Sequence, residues 1–101
     1  MILYNVTVNV EDRVLEDWLS WMKGVHIPEM METGCFVEHK MLKLLNDDPE
    51  AQGSTYAVQY FAESMSMINR YLQDHAPVLR QKHVDRYMNS CVSFRTLLEE
   101  V

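Results

Sequence analysis

Basic residues, glycine, proline and cysteine are all scarce in this sequence, and each shortage excludes something. Nine Lys and Arg stand against fifteen Asp and Glu, a formal net charge of −6 with histidine neutral. A surface of that sign repels phosphate backbones and anionic membrane surfaces, so neither a nucleic-acid nor a membrane partner is expected. The densest basic stretch, Arg80, Lys82, His83 and Arg86, is interrupted by Asp85 and reads as a solvated helix face. Three glycines and three prolines leave no low-complexity segment, and Gly24, Gly34 and Gly53 stand too far apart to cradle a phosphate. The two cysteines, Cys35 and Cys91, fall in neither a CxxC nor a Cys/His ligand spacing. They read as reduced thiols of a cytoplasmic protein. His26, His39, His75 and His83 offer no pair at i,i+4 on one helix, and Cys35 near His39 is a two-member coincidence, so no metal and no cofactor is expected. No apolar run approaches a membrane span, and the opening Met1-Ile2-Leu3-Tyr4-Asn5 lacks the basic start of a signal peptide.

What is present is the pattern of one folded α+β domain covering residues 1–101. Residues 2–10 alternate with period two and are rich in β-branched side chains, which predicts a strand. From Asp12, an N-cap candidate, Val14, Leu15, Trp18, Leu19, Met22 and Val25 recur at helical spacing, with Trp21 at the edge of the stripe. The helix is expected to stop near Gly24, and Pro28 to open a short second one closed by Gly34 at C′. Residues 35–45 read as a long strand, Asn46-Asp47-Asp48-Pro49 as a turn, and 54–62 as a third strand. Ser64 can cap a helix that buries Met65, Ile68, Tyr71 and Leu72. Pro77 cuts it, and Asp74 can cap a second segment carrying Val78, Leu79, Val84 and Tyr87 or Met88. A last strand is expected over about 90–98.

The order β-α-β-β-α-β with right-handed crossovers gives a four-stranded antiparallel sheet with its helices on one face, the ferredoxin-like arrangement. Tyr4, Val6, Val8, Val58, Val92 and Phe94 are expected under the helices. The other face would mix Leu3 and Phe61 with Asn5, Thr7, Gln59 and Arg95, more apolar than an open sheet face usually is. A second copy, sheet against sheet, is the expected cover. Asn5, Gln59 and Arg95 would then line the interior of a dimeric α+β barrel.

Several segments resemble a known family: the opening Met1-Ile-Leu-Tyr-Asn-Val-Thr-Val-Asn-Val10, Trp18-Leu-Ser-Trp21, His26-Ile-Pro28-Glu29, Thr55-Tyr-Ala-Val-Gln-Tyr60 and Ser93-Phe-Arg95-Thr96. Together they are similar, nearly end to end, to an uncharacterised bacterial domain-of-unknown-function family, 4286-like. The resemblance implies a ferredoxin-like fold of the dimeric α+β-barrel kind and no particular activity. Trp21 with His26-Ile-Pro28 is also loosely similar to the aromatic and His-x-Pro of some small dimeric α+β-barrel enzymes and stress proteins. Analogy at that level does not fix a function.

His26 is the candidate catalytic residue. It stands where the chain leaves the first helix, and an imidazole there can act as acid or base near neutral pH, or simply bond the backbone of the break. Arg95 is the candidate anchor: a guanidinium on a strand facing an interior can hold a carboxylate or phosphate, or pair with an acid such as Glu38. Asn5, Gln59 and Trp21 are the further ligand-binding candidates, Trp21 as a pocket wall. The function expected is a small dimeric binding module with a modest pocket for a small organic ligand. One alternative is a cofactor-independent isomerase, cyclase or oxygenase with His26 as base and Arg95 as anchor; another is a purely structural interaction domain. A cavity holding both His26 and Arg95 would favour the enzyme reading.

Overall fold

The computed structural model describes every residue except 47–49, so the turn expected at Asn46-Asp47-Asp48-Pro49 lies, beyond Asn46, outside the described residues. Strand β1 (Ile2–Val10) leads through a 3-10 turn (Asp12–Val14) into helix α1 (Leu15–Trp21), a π-helical turn (Met22–His26) and α2 (Ile27–Glu32). Strands β2 (Glu38–Lys43) and β3 (Ser54–Ala62) come next, then α3 (Met65–Asp74), α4 (Ala76–Tyr87) and β4 (Cys91–Glu99). The strands form one antiparallel sheet in the order β2-β3-β1-β4. The expected ferredoxin-like βαββαβ topology is therefore the observed one.

Alternation on the two central strands builds the core. Ile2, Tyr4, Val8 and Val10 of β1 and Tyr56, Val58, Tyr60 and Ala62 of β3 are buried on one face, beneath Trp18, Met22, Ile27, Met30, Ile68, Tyr71 and Leu79 of the helices. Tyr4, Phe36, Tyr60 and Tyr71 form an aromatic cluster with centroids 5.0 to 6.4 Å apart. Truncating fully buried Trp18 to alanine would cost about 3–5 kcal/mol. Gly53 packs where a Cβ would collide with the carbonyl oxygen of Val10, at φ of 75°, so the entry to β3 accepts only glycine.

The local departures from expectation each have a cause. The first helix does not stop at Gly24. It widens into the π turn and continues into α2, which carries Pro28 in its first turn. Proline lacks the N–H that would bond the Gly24 carbonyl and its ring crowds that oxygen, and a wider turn relieves both without a break. Gly34 does sit after α2 at φ of 75°, as a C′ residue should. Strand β2 is shorter than 35–45, because Cys35 and Phe36 turn into the core before pairing starts. Ser64 precedes α3 without a side-chain cap bond, and its Oγ meets Ser66 Oγ at 2.9 Å. His75, not Asp74, precedes α4.

Two faces differ more deeply. On α4, Val78, Val84 and Met88 are exposed, while Ala76, Leu79 and Tyr87 are buried and Arg80 and His83 half-buried. Those five positions form one helical stripe, so the inward face of α4 carries two polar residues. On β4, Val6 pairs with Arg95 and Thr7 with Phe94. Directly paired residues share a face. Cys91, Ser93, Arg95 and Leu97 therefore lie on the helix side, and Val92 and Phe94 on the open side, the reverse of the expectation. Strand β4 is an edge strand and is exposed along most of its length on both faces. Burial does not choose its parity; the ladder to β1, entered through the Glu11 N–H bond to the Ser90 carbonyl at 3.0 Å, does.

Candidate functional site

A cavity lies between the sheet and the helices, lined by Tyr4, Val6, Val8, Val58, Tyr60, Ser93 and Arg95 from the strands and Met22, His26, Met30, Tyr71, Arg80 and His83 from the helices. Its volume, taken as the space open to the centre of a water-sized sphere, is about 30 Å³. That is room for about two waters or one small polar group. The exposed lining residues, Ser93 and Arg95, belong to β4, so the cavity opens along that edge of the sheet.

The π turn and α4 position the polar lining. His26 ends the π turn and is stacked by Trp21, with centroids 4.9 Å apart and planes 23° apart; His83 meets it edge-on at 6.1 Å. Trp18 Nε1 donates to His83 Nε2 at 3.0 Å, which makes that nitrogen the acceptor and leaves the ring hydrogen on Nδ1. Arg80 Nη2 donates to the Tyr4 hydroxyl at 2.9 Å, and the Tyr71 hydroxyl donates to Met30 Sδ at 3.2 Å, a weak acceptor. Outside, the Tyr87 hydroxyl bonds Asp17 Oδ2 at 2.6 Å and Arg86 reaches the same carboxylate at 3.2 Å, tying α4 to α1 behind the cavity. These bonds, Tyr87 first, hold the Asp17 carboxyl below its usual range.

Three buried polar atoms of residues that line the cavity have no partner among the described residues: His26 Nδ1, the Tyr60 hydroxyl and Arg80 Nε. Leaving such groups unsatisfied costs about 1–3 kcal/mol each, more for a charged one. Burial first, with the Arg95 guanidinium adding positive potential, lowers the His26 pKa to about 4, so its imidazole is neutral at pH 7. Burial likewise lowers His83, and raises Tyr60 and Tyr71 far above the usual phenol range, which keeps both hydroxyls protonated. The lining holds two guanidiniums and no carboxylate among the described residues, on a chain of net charge −6.

The structure brings His26 and Arg95 to one cavity and sends the other candidates elsewhere. Asn5 and Gln59 pair across β1 and β3 on the open face, with Asn5 Nδ2 bonded to Thr7 Oγ1 at 3.0 Å. The expected polar cluster of Arg95 with those two does not form, because β4 presents Arg95 to the opposite face. Arg95 is exposed at the mouth without a hydrogen-bond or ion-pair partner among the described residues. Trp21 backs the His26 ring without lining the cavity. Tyr4, Tyr60, Tyr71, Arg80 and His83 enter the site unannounced. The signal for the last two was the 76-79-80-83-87 stripe of α4, in which polar residues occupy inward positions. Both cysteines are free, and no group of three or more metal-ligating side chains occurs among the described residues. No helix among those residues is long and apolar enough to cross a membrane.

An antiparallel β2-β3-β1-β4 sheet under one layer of helices, with a small cavity between the layers, defines a ferredoxin-like α+β domain. The chain belongs to the family described as Domain of unknown function (DUF4286), whose model matches residues 1–101. Among solved structures it is similar to an ethyl tert-butyl ether d (EthD) family protein from Bacillus halodurans C-125, with TM-score 0.69, 11% identity, and 100% of both chains covered. It is also similar to HapK from Hahella chejuensis, with TM-score 0.71, 8% identity, and 100% of this chain and 93% of that one covered. Identities this low speak for the fold alone. No curated protein matches the sequence.

Proposed function

We propose that this protein binds a small organic anion in the cavity between sheet and helices. The observation that carries the reading is the set of unsatisfied buried donors, the Tyr60 hydroxyl and Arg80 Nε, in a lining with two guanidiniums and no acid among the described residues. A carboxylate oxygen is the kind of acceptor these donors lack, and a guanidinium cannot shed its charge to escape the cost. The bulk of the ligand extends past Arg95 along the β4 rim, since the cavity itself takes only the polar end. The test is calorimetric titration with a panel of mono- and dicarboxylates against matched amides. Binding of acids only, weakened about tenfold or more in Arg80→Met, supports the reading; equal binding of the amides, or none of either, removes it.

The reading includes a homodimer through the open face of the sheet. Val92 and Phe94 are 73% and 61% exposed there, beside Leu98, Leu42, Leu3 and Phe61. Three nine-residue strands of about 30 Å and the six-residue β2 of about 20 Å, at about 4.8 Å spacing, present roughly 530 Å², the scale of a small interface beside the ~800 Å² per partner of a standard one. The strand residues of this face carry one acid, Glu38, and one base, Lys40, so the acidic chain does not repel a second copy there. In such a dimer the cavity lies on the far side of each sheet from the partner. Two free thiols fit a reducing, cytoplasmic setting.

A further inference from the structure

We propose that the cavity is a proton-transfer site that enolises a 2-oxo acid, with His26 as the base. The inference rests on the anion-binding reading and names the substrate class and the chemistry of that same site.

Enolisation needs a neutral base beside the carbon and hydrogen-bond donors aimed at the carbonyl oxygen. The unpartnered atoms of the cavity divide into those two roles. His26 Nδ1 is buried without a partner, and its ring is fixed between the stacked face of Trp21 and the edge of His83. The Tyr60 hydroxyl and Arg80 Nε are buried donors without an acceptor. Arg80 is anchored through Nη2 to Tyr4, which fixes where Nε points. The neighbouring His83 is excluded as the base, because its Nε2 accepts from Trp18 and its Nδ1 carries the hydrogen. His26, Tyr60 and Arg80 thus line one cavity of about 30 Å³, which takes one small polar group such as a ketone oxygen. The acid end of the substrate remains at the mouth, where Arg95 is exposed.

The step balances without a co-reactant. The α-C–H bond breaks and its electron pair forms the C=C bond of the enolate. The carbonyl π pair moves to oxygen, which accepts from Tyr60 and Arg80. The proton rests on His26 Nδ1, with Nε2 carrying the ring hydrogen, and returns to the same or a neighbouring carbon. After burial, the Arg95 guanidinium contributes to the low proton affinity of His26. A substrate carboxylate that neutralises Arg95 removes that repulsion, so the base strengthens when the substrate arrives.

The experiment tracks α-deuterium incorporation into pyruvate and 2-oxobutyrate by proton NMR in D2O, with calorimetric binding of the same acids measured in parallel. The wild-type chain is expected to raise exchange well above buffer. His26→Ala is expected to lose about 100-fold of that rate while still binding the acid. His26→Gln, which keeps size and polarity, serves if the alanine variant does not fold. Binding without exchange overturns the proton-transfer role and leaves the anion site standing. Exchange that survives in folded His26 variants overturns the assignment of the base. Failure of both acids to bind or exchange overturns the 2-oxo-acid class, and binding of other carboxylates then shows whether the anion site stands.

Discussion

At the scale of single residues, Tyr60 separates stability from function. Its hydroxyl is buried with no partner, so Tyr60→Phe removes an unsatisfied group and leaves the ring packed against Tyr4 and Phe36. The variant is expected to unfold at equal or higher denaturant, with a gain of up to about 1 kcal/mol. Its affinity for the organic acid is expected to fall about tenfold, the worth of one hydrogen bond to a charged group. Chemical denaturation and calorimetry on the same preparation check both halves. His26 makes the site sensitive to acid. Its folded pKa is about 4 against 6.5 in the unfolded chain, so between those values the unfolded state binds more protons. Stability is therefore full above pH 6.5 and declines as pH falls towards 4, by up to about 3 kcal/mol. His83, also lowered by burial, acts in the same direction. Denaturant midpoints at pH 7 and pH 4.5 should show the decline, and His26→Gln should flatten much of it.

At the scale of elements, the π turn decides where His26 points. Met22–His26 spreads one extra residue into a helix that otherwise runs from α1 to α2. Deleting exposed Gly24, which a substituent would not crowd, is expected to restore α-helical winding. The helices on either side keep their faces, the residues of the turn are re-aimed, and His26 leaves its place over Trp21. The prediction is near-native far-UV circular dichroism with loss of acid binding. Retained affinity would show that the wide turn does not position the site. Helix α4 has the complementary role. Its inward stripe exchanges two hydrophobic positions for Arg80 and His83, and Leu79 and Tyr87 remain to pack. A segment that looks weakly amphipathic is thereby both a core helix and a wall of the site.

At the scale of the whole molecule, the two faces of the sheet divide the work: the helix face holds core and cavity, and the open face displays Val92, Phe94 and Leu98. Light scattering at micromolar concentration is expected to give about twice the 11.9 kDa chain mass. Phe94→Lys should yield a monomer that still binds the organic acid, since Phe94 and the cavity lie on opposite faces. A wild-type monomer would remove the dimer and leave the cavity untouched. A Phe94→Lys variant that loses acid binding would instead couple the two faces.

The sequence by itself determined the strands β1 and β3, the helical segments, their order and hence the fold, because period-two and helical spacing are local and strong in Ile2–Val10, Ser54–Ala62 and the stripe from Val14 to Met22. It also singled out His26 and Arg95, by residue type beside Pro28 and on a strand. Tertiary structure decided what these residues do. The face of β4 was not legible, since an edge strand exposed on both sides has no buried parity and takes its register from β1. That choice carried Arg95 away from Asn5 and Gln59 to the mouth of a cavity under the helices. The inward turn of Arg80 and His83 was equally hidden: a charged residue in a helical pattern reads as surface until Tyr4 and Trp18, 76 and 65 residues away in the chain, arrive to bond it. Spacing within an element is written in the sequence, and the meeting of groups from distant elements is set by packing alone.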